Sequence, residues 1–404
     1  MTHALPLLDP SPAPGASPLD GLPREPIRGL YVHVPFCAHK CHYCDFYSIT
    51  RQSEKRMADF VERLLAEAEL WADAAKFAVE TVFIGGGTPS LLPRRDMVRL
   101  LSGLASVFDL SRVTEFTVEV NPATADLDDL KSMRDGGVDR VSFGAQSFDP
   151  NALRVLERHH DPRDVPEAVE LARRAGIGRQ SLDLIYAIPG QTLAEWDASL
   201  AAALATGVEH LSCYGLTYEP NTPLAVRRRL GRVEAASDDL EIQMFRHARA
   251  RLRDAGLDAY EISNYAKPGG ESRHNLGYWR GGNYAGLGPS AASHVGGVRW
   301  RNEPHLGRWE RGVDEGQLAA IEVERLDPPE RLLERLWLGL RKSEGVDVSA
   351  AAADLGATTW VGLSSELEAL VADAWLQRAD GRLTLSDRAL PVADAVAAKI
   401  LACE

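Results

Sequence analysis

The sequence predicts an α/β protein: a parallel sheet rolled into a partial (β/α)₆ barrel, followed by a small helical module. Three observations predict it. Six short apolar or β-branched runs alternate with stretches of helical periodicity between residues 28 and 217, the pattern of strands joined by right-handed crossovers. The chemically unusual residues collect just after those runs, where parallel α/β folds keep their working face. The rhythm then breaks, and helical spacing returns from about residue 326. Six units are two short of a closed eight-stranded barrel, and a doubly wound sheet is the competing arrangement.

In chain order, residues 1–26 hold seven of the 23 prolines and few large apolar side chains, so they read as a disordered leader. The barrel is expected over 27–218. Its strands are 29–34, 80–84, 114–120, 138–144, 180–186 and 210–216, with helices including 54–76, 95–108, 164–175 and 193–206. Residues 219–325 form a connecting region: a polar, Arg-rich link, a long helix over 237–255, and a Gly-, Tyr- and Asn-rich stretch over 258–300 expected as a loop-dominated lid. The last unit, 326–404, reads as helix, helix, hairpin, helix, which suggests a winged-helix-like module. Ser365 with Glu368 has the capping-box spacing of a helix start, and Asp380-Gly381 is a hairpin turn pair.

Composition narrows the function classes. The 404 residues carry a net charge of −13, without the basic footprint of a nucleic-acid binder. No run approaches the ~20 apolar residues that span a bilayer. The first twenty residues lack Lys and Arg, so the basic start of a secretory signal is missing. A cytoplasmic protein without nucleic-acid partners or an integral membrane segment is the expectation.

Five cysteines do not make a disulfide framework. Cys37, Cys41 and Cys44 lie within eight residues, whereas Cys213 and Cys403 stand alone. Three thiolates on one tight loop can hold a four-iron cubane with one iron left open. They can also join His39 or His42 in a Cys₃His zinc site, the reading of a zinc-stabilised binding module. Cys213 reads as a core thiol.

The string Tyr31-Val-His33-Val-Pro-Phe-Cys37-x3-Cys41-x-Tyr43-Cys44 resembles the signature of radical S-adenosylmethionine proteins. More narrowly, it is similar to the oxygen-independent coproporphyrinogen III dehydrogenase family. The likeness continues through GGGTPS (85–90), VEVNP (118–122), SFGAQSF (142–148) and DLIYAIPGQT (183–192). It implies a partial barrel of the radical S-adenosylmethionine type, a 4Fe-4S cluster on Cys37, Cys41 and Cys44, and S-adenosylmethionine beside it. The positions implied to contact that cofactor are Tyr31, Gly86, Gly87, Thr88, Glu119, Gln146, Arg158 and Asp183. Glycines and Thr88 offer unobstructed backbone to the methionine end. Glu119 is placed for ribose hydroxyls or the ammonium.

Two blocks separate the branches of that family. The dehydrogenases carry a further cysteine two residues after the third ligand, and here that residue is Phe46. Cys-x-Phe resembles the HemW branch, the haem chaperones. His274-Asn275-Leu-Gly-Tyr278-Trp279 resembles the HNxxYW haem-binding motif of that branch. An imidazole suits haem iron, and flat aromatic rings suit the macrocycle. The resemblance therefore implies haem as cargo and an acceptor haem protein, respiratory haem proteins among them, as partner, without classical turnover. The alternative is a true radical enzyme that decarboxylates coproporphyrinogen III. Arg227-Arg228-Arg229 and His159-His160 stay unassigned.

Overall fold

The structure, a computed structural model, describes Leu22 and residues 25–403; most of the expected leader lies outside the described residues. The six expected parallel strands are present: β1 (Ile27–Val34), β2 (Phe77–Gly86), β3 (Glu115–Val120), β4 (Arg140–Gln146), β5 (Arg179–Tyr186) and β6 (His210–Gly215). They pair in sequence order, every pair parallel. Between them run α1 (Glu54–Ala74), α2 (Arg94–Val107), α3 (Leu127–Asp135), α4 (Pro150–Leu156), α5 (Asp164–Ala175) and α6 (Leu193–Ala205).

Each strand has two sides of different character. Leu30, Val32, Val82, Ile84, Val118, Val141, Leu182 and Leu211 are fully buried in one apolar core with residues such as Phe60, Leu64, Trp71, Leu100 and Trp196 from the helices. The alternate positions are polar: Thr117 and Glu119, Arg140 and Ser142, Ser181 and Asp183, His210 and Ser212. A period of two puts these on the opposite side of the sheet. The barrel therefore holds its hydrophobic core outside the sheet and a polar, charged interior within it.

The link after β6 contains α7 (Pro223–Arg229) and α8 (Asp238–Asp254). Residues 258–300, expected as a loop-dominated lid, instead extend the sheet at both edges. β7 (Asp258–Ala259) and β8 (Asn264–Ala266) pair antiparallel beyond β6. α9 (Arg273–Trp279) follows, and β9 (Tyr284–Leu287) then pairs parallel with β1 at the other edge. β10 (Ala292–Val295), β11 (Val298–Asn302) and β12 (Ala320–Arg325) continue antiparallel, with α10 (Leu306–Asp314) inserted, to make one twelve-stranded sheet. These strands are only two to six residues long, so their periodicity is weak in sequence. Their hydrogen bonds come from the two edges that a six-stranded barrel leaves unpaired.

The last unit has its own core of Leu332, Leu336, Leu363, Leu370, Leu383 and Ile400. It contains α11 (Pro328–Arg341), α12 (Val348–Leu355), α13 (Val361–Ala372), a hairpin of β13 (Leu376–Ala379) and β14 (Arg382–Leu385), and α14 (Ala393–Leu401). Ser365 does not open a helix: α13 begins four residues earlier, after Trp360. Glu368 instead pairs with Arg378 of the hairpin, Nη2 to Oε1 at 2.6 Å. The true capping boxes are Thr192 with Glu195 and Asp327 with Glu330. No helix among the described residues is long and apolar enough to cross a membrane.

Candidate functional site

The cysteine loop leaves the C-terminal end of β1. Its base is closed by a short parallel pairing of Phe36 with Ile49 and Cys37 with Thr50. Tyr43 packs into a separate apolar cluster of Ala152, Leu156, Ile185, Ile188, Leu216 and Leu224. Backbone bonds from His42 N to Leu156 O (3.2 Å) and Leu224 N to His42 O (2.9 Å) fix the same side. The three thiols are partly exposed and free, and Cys213 is buried. Thr88 Oγ1 lies 3.7 Å from Cys37 Sγ, and Arg158 Nη1 lies 3.8 Å from Cys41 Sγ. Burial pushes the Cys44 thiol up to about 11 and Cys37 upward too. Deprotonating them takes a strong local positive charge, which bound iron supplies.

The glycines after β2 are dictated by close approach. A Cβ on Gly87 would stand 2.6 Å from Phe36 O and 3.0 Å from Cys37 Sγ. Gly86 has φ +108, and a Cβ there would strike the His33 ring at 2.6 Å. Their amides are already used: Gly86 N donates to Glu119 Oε2 (3.1 Å), Gly87 N to Val34 O (2.8 Å) and Thr88 N to Phe36 O (2.7 Å). The sequence pictured these donors as open to a ligand. They tie β2 to β1 and β3 instead.

Two buried carboxylates lie on the neighbouring strands. Burial and the neighbouring Asp183 push Glu119 up to about 8. Burial raises Asp183 as well, against hydrogen bonds from Ser212 and Ser142; the Ser142 hydroxyl donates to Oδ2 at 3.1 Å. Tyr31 is raised by burial and by Glu119; its hydroxyl is 3.0 Å from His33 Nδ1. Arg158 donates from Nη2 to Gly144 O at 2.6 Å and leaves a buried Nε without a partner. Gln146 ends β4 at φ 60, a left-handed conformation rare outside glycine. Tyr31, Gly86, Gly87, Thr88, Glu119, Gln146, Arg158, Asp183 and the cysteines thus belong to the C-terminal half of the barrel. A ligand bringing positive charge suits this electrostatics, and three thiolates suit a cluster with one open iron.

The 274–279 block lies elsewhere. Residues 267–283 form a strap across the N-terminal ends of the strands. Lys267 N donates to Glu209 O (2.9 Å) beneath β6, and Arg28 N and Gly29 N donate to Asn283 O (3.1 and 3.2 Å) beneath β1. Midway, Glu115 accepts from Ser272 Oγ (3.1 Å), Arg273 N (2.8 Å), His274 N (3.0 Å) and Arg179 Nη2 (3.1 Å). His274 is 2% exposed. Its Nδ1 meets Thr81 Oγ1 at 2.9 Å, its Nε2 meets the Tyr278 hydroxyl at 2.8 Å, and burial pushes it down to about 4. Tyr278 packs edge-on against Tyr284, and Arg341 of α11 sits 4.9 Å over Trp279. Asn275 N donates to Ser272 Oγ at 3.3 Å, inside the cap of α9. Gly29, the β1 residue beside His274, is five residues from Val34, roughly 17 Å along a strand. The motif is therefore a floor under the barrel, remote from the cysteines.

Sequence reasoning missed Arg140 and Ser142. Arg140 is 3% exposed at the centre of the interior, where it draws down Glu115, Glu119 and Asp183. His33 bonds Tyr47 O through Nε2 at 2.8 Å, so it braces the far end of the cysteine loop. The alternation of polar and apolar residues along β3 to β6 was the available signal.

Residues 31–203 match the Radical SAM superfamily, and residues 326–392 match the HemN C-terminal domain. The chain is 37% identical over 391 residues to the heme chaperone HemW of Mycobacterium tuberculosis, covering 96% of this chain and 97% of that protein. It is 40% identical over 271 residues to the heme chaperone HemW of Escherichia coli, covering 67% and 71%. The structure of the Escherichia coli coproporphyrinogen III oxidase HemN, a radical SAM enzyme, superimposes with a TM-score of 0.82 at 22% identity, over 95% of this chain and 92% of that one. That likeness shows the fold. The near-complete match to HemW carries the family: this chain belongs to the HemW family of the radical SAM superfamily.

Proposed function

We propose that this protein is a cytoplasmic haem chaperone. It binds haem and passes it to an acceptor haem protein, on a scaffold that carries a 4Fe-4S cluster and exchangeable S-adenosylmethionine. The observation that carries the reading is the match along nearly the whole length of curated heme chaperones. Phe46, where the dehydrogenases have a further cysteine, supports the same branch.

Cys37, Cys41 and Cys44 would hold the cluster, with Arg158 Nη1 3.8 Å from Cys41 Sγ. Bound there, the cluster supplies one-electron chemistry and an iron open to an exchangeable ligand. Glu119 and Asp183 would take the positively charged end of S-adenosylmethionine, with Gly86 and Gly87 beside its methionine portion. His274, Asn275, Tyr278 and Trp279 would form the haem contact. In the closed floor the Tyr278 hydroxyl occupies His274 Nε2, so iron ligation by that atom requires this bond to open.

One anaerobic preparation, assayed in parallel for haem binding and coproporphyrinogen III decarboxylation, tests the reading. Haem binding without decarboxylation is expected. Measured turnover of coproporphyrinogen III would overturn the chaperone and leave the radical enzyme.

A further inference from the structure

A second cluster of ligand-type side chains lies on the outer side of the cysteine loop. His39, between Cys37 and Cys41, stacks on His159 with ring centroids 4.3 Å apart. Glu157 lies between the loop and His159. One of its oxygens is 3.7 Å from His159 Nε2 and the other 3.7 Å from His42 Nδ1. One ligand atom each from His39, Glu157 and His159 fall within 4.8 Å of one another. These residues come from two places 118 positions apart at their closest, since the sequence pairs His159 with His160 and the fold pairs it with His39.

We propose that His39, Glu157 and His159 bind a divalent transition-metal ion of the zinc class, at a site separate from the three cysteines. Two imidazoles and a carboxylate form a ligand set that zinc accepts, with water in the fourth position. Tetrahedral ligands about 2.0–2.1 Å from zinc stand roughly 3.3 Å apart. The present spacing, up to 4.8 Å, is wider, and rotation of the exposed His39 and His159 rings toward the half-buried Glu157 would close it. His42 Nδ1 is buried and without a hydrogen-bond partner among the described residues. It faces Oε2 of Glu157, the oxygen turned away from His159, the position of a group that orients a ligating carboxylate.

The backbone arranges this division. Glu157 ends α4 in the left-handed conformation, φ 56 and ψ 45. Successive side chains then diverge: Arg158 turns inward to Cys41 Sγ and Gly144 O, while Glu157 and His159 turn outward to His39. A bound ion would cross-link the cysteine loop to the end of α4 from outside, as Arg158 does from inside. The site stands on its own geometry and does not depend on the haem reading.

The test uses the full chain, loaded anaerobically with iron and sulfide, and Zn²⁺ as the probe. Competition with a chromophoric chelator should report one added equivalent. His39→Ala, His159→Ala and Glu157→Gln should each weaken it at least tenfold, with iron content unchanged. X-ray absorption at the zinc edge should show nitrogen and oxygen neighbours only, at about 2.0–2.1 Å. Failure to bind zinc, unchanged affinity in His39→Ala and His159→Ala, or a sulfur shell near about 2.3 Å would each overturn the site.

Discussion

The two ends of the barrel hold the same residue types in opposite states. At the floor, Glu115 accepts four hydrogen bonds. Burial raises it, but Arg140, the amides of Arg273 and His274, and Arg179 outweigh burial and hold it below the usual carboxylate range. The floor histidines are equally complete: His210 bonds Ser181 Oγ at 2.7 Å and the Tyr260 hydroxyl at 2.8 Å, and His274 is bonded at both nitrogens. At the top, Glu119 and Asp183 are pushed up, Arg158 Nε has no partner among the described residues and Phe46 is 68% exposed. A buried polar group with every partner present is a fastener. One left short beside a like charge is a binding site in waiting. A ligand at the top completes the structure, whereas a ligand at the floor must first take it apart.

The largest expected effect sharpens the top. Cys37→Ala, Cys41→Ala or Cys44→Ala should each abolish cluster incorporation, because two thiolates cannot hold three irons. Cys213→Ala should leave it intact. Iron and acid-labile sulfide analysis after anaerobic reconstitution reads both, and a normal iron content in Cys41→Ala protein would break the assignment.

Next comes the floor fastener. Glu115→Ala leaves Arg140 and Arg179 without their shared anion and the first two amides of α9 without an acceptor, so unfolding free energy should fall by about 3–5 kcal/mol. Urea unfolding of the cluster-free chain measures it. A loss no larger than that of Glu119→Ala would erase the distinction between the two ends.

Glu119→Gln should act in the opposite sense. The folded carboxyl holds its proton to about 8, while the unfolded one ionises near its ordinary value of about 4.3. Between those values the folded state binds more protons, so stability falls as pH rises and levels off above about 8. Removing the carboxyl should flatten that slope, on the order of a few kcal/mol across the window. The same variant, and Asp183→Asn, should weaken S-adenosylmethionine more than tenfold by calorimetry. Unchanged affinity in both would place the ligand on another face.

The contrast between the ends also explains what was legible in the sequence. The βα rhythm, Cys37-x3-Cys41-x2-Cys44 and the glycines after β2 are local signals, and each lies where its spacing predicts. The strap was not legible. Its meaning depends on Glu115 and Thr81, which are distant in sequence and have ordinary neighbours. Read locally, a Gly-, Asn- and Tyr-rich stretch has the composition of a loop. The pairing of β9 with β1 likewise comes from the open edge of the barrel, a property of the assembled sheet. Ser365 failed for the converse reason: a correct local spacing was overridden by packing of Leu363, Leu367 and Leu370 into the terminal core.

The smallest expected effect bears on the proposed haem contact at the floor. Tyr278→Phe deletes one hydroxyl and keeps the ring. The lost bond to His274 Nε2 should lower stability by about 1 kcal/mol, without touching cluster or S-adenosylmethionine binding. If that nitrogen is the iron ligand, the hydroxyl is its competitor, and its removal should tighten haem binding about fivefold, the equivalent of ~1 kcal/mol. His274→Ala should weaken haem binding and shift the Soret band by removing the axial nitrogen. Opposite shifts in the two variants would identify a floor that opens to take its cargo. Equal affinity and an unchanged Soret band in both would remove His274 from the haem site, and the strap would then be a fastener alone.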